Sequence, residues 1–121
     1  VLVPGTSDHR WVDAAARSYF PELLAAGVTL YRYGPPALHA KTLVVDRDAA
    51  IVGTANLDNR SLRLNFEVIA ICYGQIVTDS LAAMFERDLA HARIVKPADL
   101  RKTTLGSRLF EGAARLLSPM L

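Results

Sequence analysis

The chain has 121 residues, of which 51% are hydrophobic and 21% charged, with a formal net charge of +2. That is one domain's worth of chain with a modest core, and the composition excludes an intrinsically disordered segment. The charge is too small to argue for nucleic acid on its own, and no window approaches the ~20 apolar residues of a membrane span.

In chain order, Val1-Leu2-Val3 reads as a short buried strand and Pro4-Gly5-Thr6-Ser7-Asp8 as a loop, with Ser7 or Asp8 suited to cap a helix. Val12, Ala16, Tyr19, Phe20 and Leu23 recur at helical spacing, which predicts a helix over 9–26. Pro21 breaks or kinks it near Phe20, and Gly27 ends it. Val28-Thr29-Leu30-Tyr31-Arg32-Tyr33 alternates and is rich in β-branched and aromatic residues, hence a strand, and Gly34-Pro35-Pro36 is a loop leading to His39. Residues 38–45 and 50–53 read as antiparallel strands joined at Asp46-Arg47-Asp48. Residues 56–63 form a polar loop or short helix, and 66–73 are nearly all apolar, as in a strand buried on both faces. A second long helix is predicted over 77–93, capped by Thr78 or Asp79, with Leu81, Met84, Phe85 and Leu89 as its core stripe. Strands alternating with long helices predict an α/β layer architecture, a mixed sheet flanked by helices, over 1–97.

The segment 98–121 differs in character. Leu105, Leu109, Phe110, Ala113, Leu116, Leu117 and Leu121 share one helical face, Arg101, Arg108 and Arg115 share another, and Lys102 adds charge. A basic amphipathic segment of this kind lies on an anionic membrane surface, or it packs as an ordinary helix on the domain or on the remainder of the protein. Cys72 is the lone cysteine; in an apolar run it fills a core position and fits a reducing compartment. No signal peptide is visible, and because the chain opens inside a strand-like run it reads as a piece of a longer protein.

The chemistry concentrates in His39-Ala40-Lys41-Thr42-Leu43-Val44-Val45-Asp46, followed by Gly53-Thr54-Ala55-Asn56. On a strand, residues i and i+2 face the same way, so His39 and Lys41 project together and a hairpin brings Asn56 beside them. A base or nucleophile, a fixed positive charge and an amide donor suit a phosphodiester. Histidines and carboxylates do not gather at metal-ligand spacing, and there is no glycine-rich nucleotide loop, so the expected chemistry is phosphoryl transfer without a metal or other cofactor.

These residues resemble the His-x-Lys-x4-Asp signature of the phospholipase D superfamily, with Gly53-Thr54-Ala55-Asn56 and Asn65-Phe66-Glu67 following in order. Thr54 stands where many members have Ser. More narrowly, Ser7-Asp8-His9, Asn56-Leu57-Asp58-Asn59-Arg60-Ser61-Leu62 and Leu116-Leu117-Ser118-Pro119-Met120-Leu121 are similar to the C-terminal catalytic half of bacterial cardiolipin synthases. The resemblance implies one half of a two-motif fold, with 1–97 as the phospholipase D-like half-domain.

It also implies roles. His39 would be one of two active-site histidines, nucleophile or general acid. Lys41 would hold the non-bridging phosphate oxygens, and Asn56 would donate to them. Thr54 would lie near the phosphate or pack beneath it. Glu67 would orient the His39 imidazole. Asp46 and Gly53 would be structural, and Arg60 would meet a lipid headgroup or form an ion pair. His9 and His91 are read as structural and solvated.

The implied reaction is phosphatidyl transfer from one phosphatidylglycerol to the hydroxyl of another through a phosphohistidine. It would occur at the cytoplasmic face of a bacterial membrane, with no nucleic acid partner. Since one motif cannot flank phosphorus on both sides, an N-terminal motif-bearing half or a second copy is needed, and the chain alone is expected to be inactive. The competing readings are a phospholipase D-type phosphodiesterase, a dimeric nuclease of the same superfamily, and a non-catalytic membrane-binding module.

Overall fold

A computed structural model describes residues 1–5, 9–36, 38–101 and 104–117. The elements are β1 (Leu2–Pro4), α1 (Arg10–Ser18), α2 (Phe20–Ala25), β2 (Tyr31–Tyr33), β3 (Thr42–Val45), β4 (Ala49–Gly53), α3 (Asn59–Arg63), β5 (Ile69–Tyr73), α4 (Gln75–Leu89), β6 (Ala92–Ile94), α5 (Pro97–Arg101) and α6 (Leu105–Leu117). They form two compact units, Val1–Leu38 with His91–Leu121, and His39–Ala90. Both are mixed helix and sheet, as the alternation of strand and helix patterns predicts.

In the first unit, β2 runs parallel to β1 and antiparallel to β6. The expected 9–26 helix divides at Tyr19, because Pro21 sits in the first turn of α2, where its missing N–H is not needed. Ser7 and Asp8, the expected caps, lie outside the described residues; His9 occupies the N-cap position of α1. Gly27, at φ +83°, closes α2: its N–H donates to the Leu24 carbonyl and Val28 N–H to that of Leu23. β2 is shorter than the alternation predicts, since its partner β1 has three residues, and Val28 packs instead against the core of Phe20, Leu30 and Val95. β6 is a strand where the helical pattern was expected to run on to Arg93. Three residues are too few to show a period, and pairing with β2 decides their conformation.

α6 packs on α1 through Ala14, Ala15 and Ala114, whose small side chains allow close approach, with Phe110 beside them. The Phe110 ring lies 4.4 Å from that of Trp11. Arg17 pairs with Glu111 at 2.7 Å, while Arg115 reaches both carboxylate oxygens of Glu22 and stacks over Tyr19. The expected apolar stripe therefore splits: Phe110 turns toward α1, while Leu105, Leu109 and Leu116 stay exposed. Leu121 and Lys102 lie outside the described residues.

In the second unit β3, β4 and β5 form an antiparallel sheet in that order. Asp46 adopts φ 51° in the β3–β4 turn, a left-handed conformation that Asp tolerates better than most residues, and Asp48 N–H closes the turn on Val45 O. α4 lies against the sheet. It begins at Gln75, not at 77, with Gly74 at its N-cap. The expected cap Thr78 is instead fully buried, donating at 2.9 Å to the carbonyl of Arg47, and Asp79 pairs with Arg47 at 3.6 Å.

Two strand expectations need correction. β3 begins at Thr42, so His39 and Lys41 precede the strand; β4 ends at Gly53 and offers no ladder partner beyond Lys41. β5 is not buried on both faces. It is an edge strand, as is β3, and the row Leu43, Ile51 and Ile71 faces away from the row Val44, Ala50 and Cys72, leaving Leu43 and Ile71 about half exposed. Cys72 is half-buried.

Candidate active site

The site is built where β4 leaves the sheet. Gly53 N–H donates to the Lys41 carbonyl at 3.2 Å, which extends the β3–β4 ladder by one bond and fixes Lys41 beside Gly53. A Cβ at position 53 would collide with the carbonyl oxygen of Val68 and come within 2.8 Å of Ile69 Cα. Only glycine lets β5 approach this closely.

Thr54 continues the closure. Its N–H donates to Val68 O at 2.9 Å, and its hydroxyl oxygen accepts from Val68 N–H at 3.0 Å. The same hydroxyl donates to Oε2 of Glu67 at 2.5 Å. Ser61, buried in α3, donates its hydroxyl to Glu67 Oε1 at 2.8 Å, and Asn65 Nδ2 donates to the same oxygen at 3.2 Å. Ser61 is held there because Asp58 caps α3, accepting the Ser61 N–H at 2.7 Å.

This shell holds the Glu67 carboxyl below the usual carboxylate range. The Thr54 hydroxyl contributes most, then Ser61; Asn65 and the nearby Lys41 charge add to it, against partial desolvation. Glu67 is therefore an ionised carboxylate at neutral pH, fixed by neutral donors.

Lys41 is half-buried and donates one ammonium hydrogen to the His39 carbonyl at 3.0 Å. The His39 imidazole is exposed and, among the described residues, has no hydrogen bond to Glu67 or to any other side chain. Asn56 is exposed in the loop between β4 and α3. Arg60 is exposed in α3, its carbonyl accepting the N–H groups of Leu64 and Asn65. Asp46 lies at the other end of β3 from His39. The structure thus joins Lys41, Gly53, Thr54 and Glu67, and sets His39 next to Lys41 along the chain.

Ser61 and Asn65 were not singled out from the sequence as holders of Glu67. The available signal for Ser61 was the Asp58-Asn59-Arg60-Ser61 spacing, an N-cap residue and the position whose N–H it accepts. Among the described residues no group of three or more His, Cys, Asp or Glu is placed to hold a metal ion, and no helix is long and apolar enough to cross a membrane.

Residues 1–89 match the family described as cardiolipin synthase, PLD-like domain. The chain belongs to the cardiolipin synthase family of phospholipase D-like domains. Over all 121 residues it is 45% identical to cardiolipin synthase A of Pseudomonas aeruginosa and to a cardiolipin synthase of Geobacillus sp. (strain WCH70), covering 25% and 24% of those proteins. A cardiolipin synthase of Halalkalibacterium halodurans is 44% identical over the same 121 residues. The chain thus spans about a quarter of the length of these cardiolipin synthases. No solved structure matches it.

Proposed function

We propose that this chain supplies one of the two motifs of a phosphatidyltransferase that makes cardiolipin from two molecules of phosphatidylglycerol. The observation that carries this reading is the joining of Lys41 to Gly53 and of Thr54 to Glu67 at the end of β4, with His39 two residues before Lys41.

In the first half-reaction an imidazole nitrogen from the second motif attacks phosphorus of phosphatidylglycerol. The phosphorus–oxygen bond to glycerol breaks, and the His39 imidazolium gives its proton to the departing oxygen, which would otherwise leave as a poor alkoxide. In the second, His39, now neutral, takes the proton from the hydroxyl of another phosphatidylglycerol. That oxygen attacks phosphorus, and the phosphorus–nitrogen bond breaks to release cardiolipin. The Lys41 ammonium and the Asn56 amide face the equatorial oxygens, where negative charge grows in each transition state. Glu67 is an ionised carboxylate in the same unit, held by the Thr54, Ser61 and Asn65 side chains. The second motif comes from the remainder of the protein or from a second copy, and the substrates lie at the cytoplasmic face of a bacterial membrane.

The test is product analysis with phosphatidylglycerol vesicles and the second motif supplied. Cardiolipin and glycerol in equal amounts support transfer. Phosphatidic acid as the main product supports a hydrolase, and cleaved DNA a nuclease. Vesicle binding that survives His39→Ala with no His39-dependent product supports a membrane-binding module.

A further inference from the structure

Within the unit Val1–Leu38 with His91–Leu121, β2 and β6 place Arg32 directly opposite Arg93. Like charges opposed across a strand pair destabilise it, so this register calls for negative charge nearby. Asp13 provides part of it, accepting from Arg32 at 2.8 Å. The Arg93 side chain is exposed and has no hydrogen bond or ion pair among the described residues. Both arginines border a cavity of about 470 Å³ that Arg17 of α1 and Arg108 of α6 also line.

The carboxylates on the cavity wall are already engaged. Glu111 holds Arg17 at 2.7 Å, and an oxygen of Asp99 accepts the N–H of Lys96 at 3.0 Å. The Arg108 guanidinium, like that of Arg93, has no acidic partner among the described residues. Four arginines thus line one cavity against two carboxylates, Asp99 and Glu111, so its wall carries an excess of positive charge.

We propose that this cavity is an anion site for a phosphate-bearing group, separate from the His39 motif. Guanidinium forks match pairs of phosphate oxygens, and an incoming phosphate would relieve the repulsion between Arg32 and Arg93. The group is either the phosphodiester of an acidic phospholipid headgroup or free phosphate. The lipid source rests on the phospholipid reading of the His39 site; the phosphate site itself does not. α6 favours the lipid source, because the helix that carries Arg108 also exposes Leu105, Leu109 and Leu116.

The single tryptophan, Trp11, reports on the site, since its ring lies 4.4 Å from that of Phe110 on α6. Titration with inorganic phosphate at constant ionic strength, against chloride, is followed by Trp11 fluorescence and by calorimetry. Saturable binding is expected, weakened about tenfold by R93Q or by R108Q and unchanged by His39→Ala. Flotation with phosphatidylglycerol or phosphatidylcholine vesicles then separates the sources. Binding to phosphatidylglycerol vesicles that needs Arg93 and Arg108 and is competed by phosphate identifies a headgroup. Arginine-dependent phosphate binding without such vesicle binding identifies free phosphate. The proposal is overturned if calorimetry finds no saturable phosphate binding. It is equally overturned if the R93Q/R108Q double variant, folded by circular dichroism, binds like the wild type, or if only His39→Ala abolishes binding.

Discussion

Thr54 and Glu67 meet side chain to side chain at 2.5 Å, and the same Thr54 hydroxyl oxygen accepts the N–H of Val68. One hydroxyl therefore both pins the edge strand and fixes the site carboxylate. Thr54→Ser keeps both interactions and should leave thermal stability close to the wild type. Thr54→Val loses both and should lower the melting temperature by about 5 °C. Paired thermal scans of the two variants check this.

The shell around Glu67 sets a pH signature. Its folded pKa lies below the unfolded value, with the Thr54 hydrogen bond as the largest cause. Stability from this group is fully present above the ordinary glutamate pKa and is lost as pH falls through the depressed folded value. Glu22, lowered chiefly by its hydrogen bond from Arg115, acts in the same direction. Denaturant unfolding measured from pH 6 down to pH 3 should show a shallower acid loss in Glu67→Gln than in the wild type. An equally steep loss would count against an ionised, hydrogen-bonded Glu67.

Gly53 tests the packing beneath the site. An added methyl group meets the Val68 carbonyl and the Ile69 backbone, neither of which can swing aside. Gly53→Ala should cost about 1–3 kcal/mol, measured by urea unfolding, and should reduce activity by displacing Thr54. Ala at Gly112, where nothing lies within 4 Å of the new Cβ, is the matched control.

Much of this arrangement was legible in the residues. The 3.6-residue spacing and Pro21 indicated α1 and α2, the Asp46-Arg47-Asp48 turn indicated the hairpin, and the order of His39, Lys41, Asp46, Gly53 and Asn56 indicated the family. The rest depended on contacts that a linear pattern does not carry. β6 is too short for a period and exists through its pairing with β2. The apolar run around β5 looked buried, yet Ile69, Ile71 and Tyr73 are exposed, because hydrophobicity reports a tendency to be covered and not what covers it. Thr78 looked like a cap but spends its hydroxyl on the β3–β4 turn. The partners of Glu67 were hidden because Ser61 reaches it only once Asp58 has started α3.

Asp58 therefore has an effect at a distance from its own side chain. Asp58→Ala removes the cap on α3 and should cost about 1 kcal/mol, whereas Asp58→Asn should be nearly neutral. Because α3 carries Ser61 to Glu67, the alanine variant should also raise the Glu67 pKa toward its ordinary value. Carboxyl chemical shifts followed over a pH titration read this directly.

The core of the first unit gives a plain stability test. Leu30 is almost fully buried against Phe20 and Val95. Leu30→Ala should cost about 2–5 kcal/mol, measured by denaturant unfolding. A loss below about 1 kcal/mol would mean that this cluster is not a packed core.

The most direct measurement is the rate of cardiolipin formation from phosphatidylglycerol, with the second motif supplied, for the wild type and for His39→Asn. Loss of the imidazole's proton transfer predicts a fall of about 10²–10⁴-fold with vesicle binding and folding retained. A His39→Asn protein that makes cardiolipin within about twofold of the wild-type rate, far inside that range, would contradict a catalytic role for the His39 motif.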